Sequence, residues 1–557
     1  MMPHNEPSGV SGVSGASGVS GASGASNLFQ VRVLKRTVQY HSDASAVFEA
    51  LGANSDSDTA LLESADISTH SGLQSLAVIE ASARICCEGE KVYISPLTPT
   101  GEVLAGELAA KLHAHILDTE AGLVLNFPAS TAVDERERLQ AISSIEPLRL
   151  LQNASGYPTD SGLPLIVGGF AFDYLGTFET LPQVTAGKNT FPDYYFLSAQ
   201  IILEINHLEK TAELIGIASG TPEINRVTAR LNELAQIISS LGAAGAADGA
   251  AGAASVSGEG RAVLQAQASY SDAEFRHQVQ GLKAHIENGD ICQVVPARSF
   301  TTECADAFAA YRCLRQSNPS PYMFYLRGHK GDEHIFELFG ASPESSLKFT
   351  AKTRQVELYP IAGTRPRGLN ADGTINSELD TRNELDMLTC AKEVSEHTML
   401  VDLARNDLAR VGVPGTRKVA ALLEVDRYSR VMHLVSKVVA ELAPQYDALD
   451  AYRACMNMGT LTGAPKIRAT ELLRGIEGTR RGAYGGAVGY LRGGGDMDTC
   501  IVIRSAFVQD GIAIVQAGAG IVRDSDPQSE ADETLHKASA VLRAIAAAVA
   551  AELQVIR

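Results

Sequence analysis

Between Leu241 and Gly260 the chain reads LGAAGAADGAAGAASVSGEG, a stretch with almost no side chain able to join a core. Whatever folds must therefore fold from the residues on either side of it. Residues 8 to 26 repeat Ser-Gly-Val/Ala and cannot bury enough apolar surface to offset their own ordering entropy. The sequence thus predicts a disordered tail over 1–26, an N-terminal part over 27–240, a flexible linker or surface loop over 241–260, and a second part over 261–557. At 557 residues the chain suits two domains or one large composite domain.

Both parts mix the two periodicities. Alternating runs at Ser75–Ile85, Lys91–Ser95, Leu165–Phe172 and Tyr195–Ile205 predict strands, and Ile224–Leu241 predicts a helix. The second part opens on Ser271-Asp-Ala-Glu274, the form of a capping box, ahead of a helix to Asn288. Strand-like runs follow at Gln293–Val295, Tyr322–Leu326, Ile335–Phe339, Gln355–Pro360, Ala487–Leu491, Thr499–Phe507 and Ile512–Ala517, with long helical patterns at Thr381–Arg410 and Gln528–Leu553. Grouped strands with helices in separate blocks predict an α+β fold of antiparallel sheets covered by helices.

A net charge of −18 argues against a nucleic-acid or acidic-membrane partner, since polyanions would be repelled. No apolar run reaches the length of a membrane span, and no secretory signal opens the chain. The eight cysteines form no CxxC, which fits a reduced, cytoplasmic protein.

Chemistry is suggested by two acidic helices. In Lys392-Glu393-Val-Ser-Glu396-His397 the glutamates are three apart and share a face; Ser529-Glu530-Ala-Asp-Glu533 repeats the spacing and adds Lys537. Two facing carboxylate pairs would make an oxygen-rich site for a hard cation such as Mg²⁺. By spacing alone the pattern better suits solvated helix faces carrying i,i+4 ion pairs. Glycines beside strand-like runs, in PIAGTR (360–365), YGGAVGY (484–490) and QAGAGIV (516–522), would let backbone N–H groups approach an anion, or would simply form turns and bulges. Arg504, basic within the apolar run IVIRSAF, needs a partner, and a substrate carboxylate is a natural one. Dinucleotide, phosphate-loop and nucleophile-elbow motifs are absent.

Residues 261–550 closely resemble the chorismate-utilising enzymes, and among them the anthranilate synthase component I family. The resemblance is carried by GDICQVVPAR, NPSPYMFY, PIAGTRPRG, EHTMLVDLARNDLARV, VMHLVS, MNMGTLTGAPK, GGAVGYL, DTCIVIRSA, QAGAGIV and SEADETLHKA, and in the first part by Leu61-Leu62-Glu63-Ser64 with SLAVIEASARI. It implies the family fold of antiparallel sheets packed face to face with helices outside. It implies that Glu396 and Glu533 ligate Mg²⁺, with Glu530 and Glu393 completing an acidic cup, and that His433 and Thr460 join Glu393 as catalytic groups. Gly363, Thr364, Tyr484, Arg504, Gly518, Ala519, Gly520 and Lys537 match positions that hold the carboxylates of chorismate.

Two positions discriminate within the family. Relatives that add water carry a lysine where this chain has Gln293, and aminodeoxychorismate synthases often carry one where it has Ala362. Losing both leaves ammonia as nucleophile, the chemistry that makes anthranilate for tryptophan synthesis. The resemblance further implies feedback by L-tryptophan through Glu63, Ser64, Gln74, Pro321, Tyr322, Met323, Val488 and Tyr490, with Gln74 replacing a frequent lysine. A glutamine amidotransferase subunit would supply ammonia, in a heterotetramer of two large and two small subunits. An aminodeoxychorismate synthase and an inactive tryptophan sensor are the alternatives.

Overall fold

The computed structural model describes residues 30–557 except 56, 65–73, 118–121, 160, 245–261, 332–333, 371 and 429–430. The expected tail and all but the first four residues of the expected linker lie outside the described residues.

Two long strands organise the rest. β2 (Gln74–Glu88) and β4 (Tyr194–Asn206) pair antiparallel along their length, with register shifts between Val78 and Ala83. Such irregularities bend and twist a strand, so each strand serves two sheets. The first half of β2 pairs β1 (Thr59–Glu63), which continues to β6 (Tyr322–Lys330) and β7 (His334–Ser342). That first sheet extends through β13 (Ser505–Gln509) and β14 (Ile512–Gly518), while the second half of β4 pairs β5 (Thr211–Ser219). The first half of β4 instead pairs β3 (Leu165–Phe170), leading to β11 (Ala487–Arg492) and β12 (Met497–Ile501) in the second sheet. Its far edge is built from β8 (Ile361–Pro366) and β9 (Lys418–Arg427), one on each flank of β10 (Val431–Glu441).

The sheets pack against each other. Val78, Ile202, Phe324, Leu326, Phe336 and Leu338 of the first meet Ile166, Leu347, Val356, Val438 and Val488 of the second in one apolar cluster. The opposite face of the first sheet, with Leu61, Ala77, Ile79, Leu203 and Phe339, is covered by α1 (Thr221–Ala244), α2 (Ala307–Ser317) and α5 (Pro527–Ala548) through Leu234, Phe308 and Val541. The fold is α+β, as the patterning predicts. Because β1 pairs β6 and β3 pairs β11, the parts before and after residues 241–260 interleave in both sheets.

Four expectations are corrected. The helical pattern 381–410 is two helices, α3 (Ser377–Thr389) and α4 (Ala391–Ala409), parted at Cys390, whose ψ of 104° is extended. The run 499–507 is two strands, because Arg504 has φ +50° between β12 and β13. The last helix stops at Ala548; Glu552–Ile556 instead forms a parallel strand against Val263–Ala268. Finally, α1 runs on into the expected linker as far as Ala244. The capping box at Ser271 is formed as written in the sequence.

Candidate active site

A cavity of 560 Å³ opens between the edge of the second sheet and helices α4 and α5. The break at Cys390 re-aims the chain so that the first turns of α4 bring Glu393 and Glu396 onto its wall. On the other side Glu530 and Glu533 enter from α5. That helix is anchored by Arg298, buried at 1 % exposure, which donates to Thr534 Oγ1 and the Ala531 carbonyl at 2.8 Å each.

The carboxylates meet under strain. Burial pushes Glu396 above the ordinary carboxylate range, and Glu393, Glu530 and Glu533 add repulsion against the help of Lys392. Burial also raises Glu530, with Glu533 adding to it. Glu393 Oε2, Glu396 Oε1 and Glu530 Oε2 are buried without a hydrogen-bond partner. The i,i+4 ion pairs are formed as well: Glu533 lies 2.6 Å from Lys537 and Glu396 3.8 Å from Lys392. Among the described residues no three His, Cys, Asp or Glu side chains form a closed metal cage.

Opposite this acidic wall the cavity is cationic and rich in N–H groups. Arg504 is desolvated, which pushes its guanidinium down, with Tyr484 and Glu533 opposing. It faces the cavity, and among the described residues no hydrogen bond or ion pair occupies it. Lys537 donates to the Gly518 carbonyl at 3.0 Å. Glycine is required at 518, since a Cβ there would sit 2.8 Å from the Pro296 carbonyl. At Gly363 the backbone φ is +91° and a Cβ would sit 2.6 Å from Glu393 Oε2, so a side chain would displace the carboxylate.

The proton-transfer groups lie between these walls. His433 on β10 sits across from Thr364 on β8, with Nδ1 2.9 Å from Oγ1. Burial and the charge of Arg504 push the imidazole down to about 4, against a hydrogen bond to Gly363, so it is neutral at pH 7. Glu344 was not anticipated by the sequence reading. Burial pushes its carboxyl up to about 8, against a hydrogen bond from Thr460 Oγ1 at 3.0 Å and the charge of Lys537. A lone glutamate in FGASPESSL has no spaced partner to announce it; the signal is an isolated charge among small and apolar residues.

Of the expected site residues, Glu393, Glu396, Glu530, Glu533, His433, Thr460, Gly363, Thr364, Tyr484, Arg504, Gly518, Gly520 and Lys537 all line this cavity. Ala519 does not. It is fully buried with Phe275, Val279 and Ile521, because alternate residues of a strand end face opposite ways.

The expected tryptophan residues are split by the same alternation. Ser64 donates to the Pro321 carbonyl at 3.0 Å, and Tyr322 OH lies 3.5 Å from Asp498, the strand partner of Tyr490. Val488 joins the core between the sheets. Glu63 and Met323, neighbours across β1 and β6, face the helices instead: Glu63 accepts from Arg315 Nε at 3.0 Å, and Met323 lies with Phe308 and Tyr325. Gln74 is exposed, its carbonyl accepting from Ser64 N.

The chorismate binding enzyme family matches residues 91–543. Anthranilate synthase component 1 of Escherichia coli K12 is 49% identical over 515 residues, covering 91% of this chain and 96% of that protein. The chain belongs to the anthranilate synthase component 1 family. The pyocyanine-specific component 1 of Pseudomonas aeruginosa is 45% identical, covering 92% of this chain and 95% of its own length. Among solved structures, component I from Streptococcus pneumoniae superposes with a TM-score of 0.62 at 27% identity, over 85% of this chain and 93% of that one. The menaquinone-specific isochorismate synthase MenF of E. coli shares the fold, with a TM-score of 0.59 at 17% identity over 93% of this chain and 95% of its own. As a member of this family the chain is an enzyme of the chorismate-utilising kind, and the family match spans both parts flanking residues 241–260. No described helix is long and apolar enough to cross a membrane.

Proposed function

We propose that this chain is the chorismate-using component of an anthranilate synthase, a lyase turning chorismate and ammonia into anthranilate, pyruvate and water. The observation that carries the reading is that Gln293 and Ala362 both line the cavity. Neither can act as a nucleophile or deprotonate water, so the entering group comes from outside the chain.

Chorismate carries two carboxylates. The unoccupied charge of Arg504, the ammonium of Lys537 and the glycine backbone at Gly363 and Gly518 suit such a dianion. The orphaned oxygens of Glu393, Glu396 and Glu530 fit Mg²⁺, which needs only one or two protein carboxylates and completes its shell with water or substrate oxygens. Glu396 and Glu533 would hold it, and it would neutralise the ring carboxylate. Ammonia adds at ring C2 while the C4 hydroxyl leaves as water; Glu344, protonated below about 8, is placed to supply that proton. Neutral His433 then takes the C2 proton as the ring carbon–oxygen bond to the enolpyruvyl group breaks; the ring becomes aromatic, and the departing enolpyruvate takes a proton on its methylene carbon to become pyruvate.

Being a component 1 implies a partner. We assign ammonia supply to a glutamine amidotransferase, in a heterotetramer of two large and two small subunits. Feedback by L-tryptophan would act near Ser64, Pro321, Tyr322 and Tyr490. A smaller cavity of 90 Å³ is lined by Pro321 together with Thr364, His433 and Arg504, which gives that region a common wall with the site. The purified chain, given chorismate, Mg²⁺ and an ammonium salt, should form anthranilate fluorescence; with glutamine alone it should not. Failure with ammonium would overturn the reading.

A further inference from the structure

The strand that carries His433 is flanked on both sides by a bulge. On β8, Ile361 pairs with Val435 but Thr364 with His433, so three steps along β8 match two along β10. On β9, Ala421 pairs with Lys437 but Glu424 with Val435, again three steps against two. Each bulge contains a residue in the left-handed region, Gly363 at φ +91° and Leu423 at φ +57°. A bulge frees backbone groups from the ladder, and a buried free group is costly.

One side-chain pair takes up a freed group from each bulge. His397 and Ser436 are both fully buried. His397 Nδ1 lies 3.3 Å from the Ala362 carbonyl, and its Nε2 lies 2.6 Å from Ser436 Oγ. Ser436 Oγ in turn accepts from the Leu423 N–H at 3.0 Å. A ring nitrogen facing a carbonyl must carry hydrogen, so Nδ1–H donates to Ala362 and Nε2 accepts from the Ser436 hydroxyl. The result is a continuous line from Leu423 N–H through Ser436 and His397 to Ala362 C=O, crossing from β9 over β10 and the helix face to β8. His397 itself lies on α4, one residue after Glu396 and one turn after Glu393.

We propose that His397, seated on Ser436, is a positioning residue of the active site. It locks the helix bearing Glu393 and Glu396 to the bulged strand that presents Gly363 and Thr364. It touches no reacting atom. Its role is to fix the spacing between the acidic wall and the strand, so that the bulge at Ala362–Gly363 keeps the one conformation in which Gly363 borders the cavity and Thr364 meets His433. The role rests on reading chorismate as the ligand.

Three variants separate positioning from mere stability. His397→Asn places an amide N–H where Nδ1–H stood and keeps the bond to Ala362. His397→Gln reaches the Nε2 position and keeps Ser436 but frees the Ala362 carbonyl. Ser436→Ala removes the seat and leaves the Leu423 N–H unpaired. The readout is chorismate binding by calorimetry in the absence of ammonium, with thermal midpoints recorded alongside. Chorismate Kd should rise roughly tenfold in His397→Gln, the scale of losing one buried hydrogen bond, and stay within about threefold of the parent in His397→Asn and in Ser436→Ala, which both keep the bond to Ala362. Equal Kd values for the Asn and Gln variants, or losses that track the thermal midpoint alone, would overturn the proposal. If His397→Gln does not fold, His397→Leu, which also frees the Ala362 carbonyl, against His397→Asn makes the same comparison. A parent chain that binds chorismate yet forms no anthranilate would sink the functional reading while leaving this test intact.

Discussion

Thr364 and His433 are strand partners, and the 2.9 Å between Oγ1 and Nδ1 ties the imidazole to the opposite strand where both line the cavity. Burial, and after it the charge of Arg504, lowers the basicity of the same ring, and Arg504 borders the same cavity. A neutral imidazole beside a charged guanidinium can accept a proton from the ring that a carboxylate–guanidinium pair holds in place, but it cannot start as an acid. In the proposed reaction the acid would be another group, and Glu344, whose carboxyl burial pushes up to about 8, lines the same cavity.

Glu344→Gln should therefore cut kcat by about 100-fold, the usual scale for losing a general acid. Glu344 stays protonated below about 8 and ionises above it, so the parent's kcat should fall as pH rises through about 8 at constant free ammonia. His433, neutral above about 4, sets the acidic limb: activity should fall as pH drops through about 4. A pH–rate profile whose alkaline limb persists in Glu344→Gln would assign that limb elsewhere.

Glu396→Gln should abolish most turnover yet leave the metal-free protein folded and more stable at pH 7. The sign follows from the raised folded value of Glu396: the protonated form is favoured in the folded state, so stability is full at low pH and is lost as pH rises through that value. Melting curves in chelator, recorded as pH rises from the ordinary carboxylate range, should slope downward for the parent and less so for the variant. Added Mg²⁺ should flatten the parent's slope.

Arg504 holds a left-handed backbone at φ +50°, which costs a non-glycine residue about 1 kcal/mol. Arg504→Gly should consequently be more stable than Arg504→Ala by about that amount, although both lose the guanidinium and should bind chorismate far more weakly. Denaturant melts of the two variants isolate the backbone contribution, and equal midpoints would show the strain to be absent.

Ser64→Phe should weaken tryptophan inhibition and spare the uninhibited rate, because Ser64 holds Pro321 and does not line the catalytic cavity. Met323→Thr should differ. At 1 % exposure among Phe308 and Tyr325, losing the Met side chain should cost about 2 kcal/mol and lower the melting temperature as well as alter inhibition. Full inhibition of Ser64→Phe at the parent's tryptophan concentration would place the regulatory site elsewhere.

Much of the fold could be read from the chain. Alternation located β2, β3, β4 and β7, and the Ser271 capping box marked a helix start to the residue. Two of the four corrected boundaries fall where the site is built. Periodicity carried straight across Cys390 and Arg504, because neither residue type announces a backbone break. The breaks are imposed by tertiary packing, and they aim Glu393 and Arg504 into the cavity. Ala519 was assigned with its glycine neighbours from contiguity in sequence, whereas a strand end sends alternate side chains apart. Glu344 and His397 escaped for a related reason: what singles them out is burial and, for His397, a hydrogen bond to the bulged strand β8, distant in sequence.

The sharing of β2 and β4 between the two sheets has a consequence for assembly. A piece ending at residue 244 would keep β1 but expose the edge that β6 covers, and a piece beginning at 262 would leave β6 and β11 each lacking a neighbour. Bare edges of that length recruit other chains. Cut between those residues, the molecule should behave as a split protein: each piece aggregates alone, and only the two expressed together reconstitute a folded, working whole.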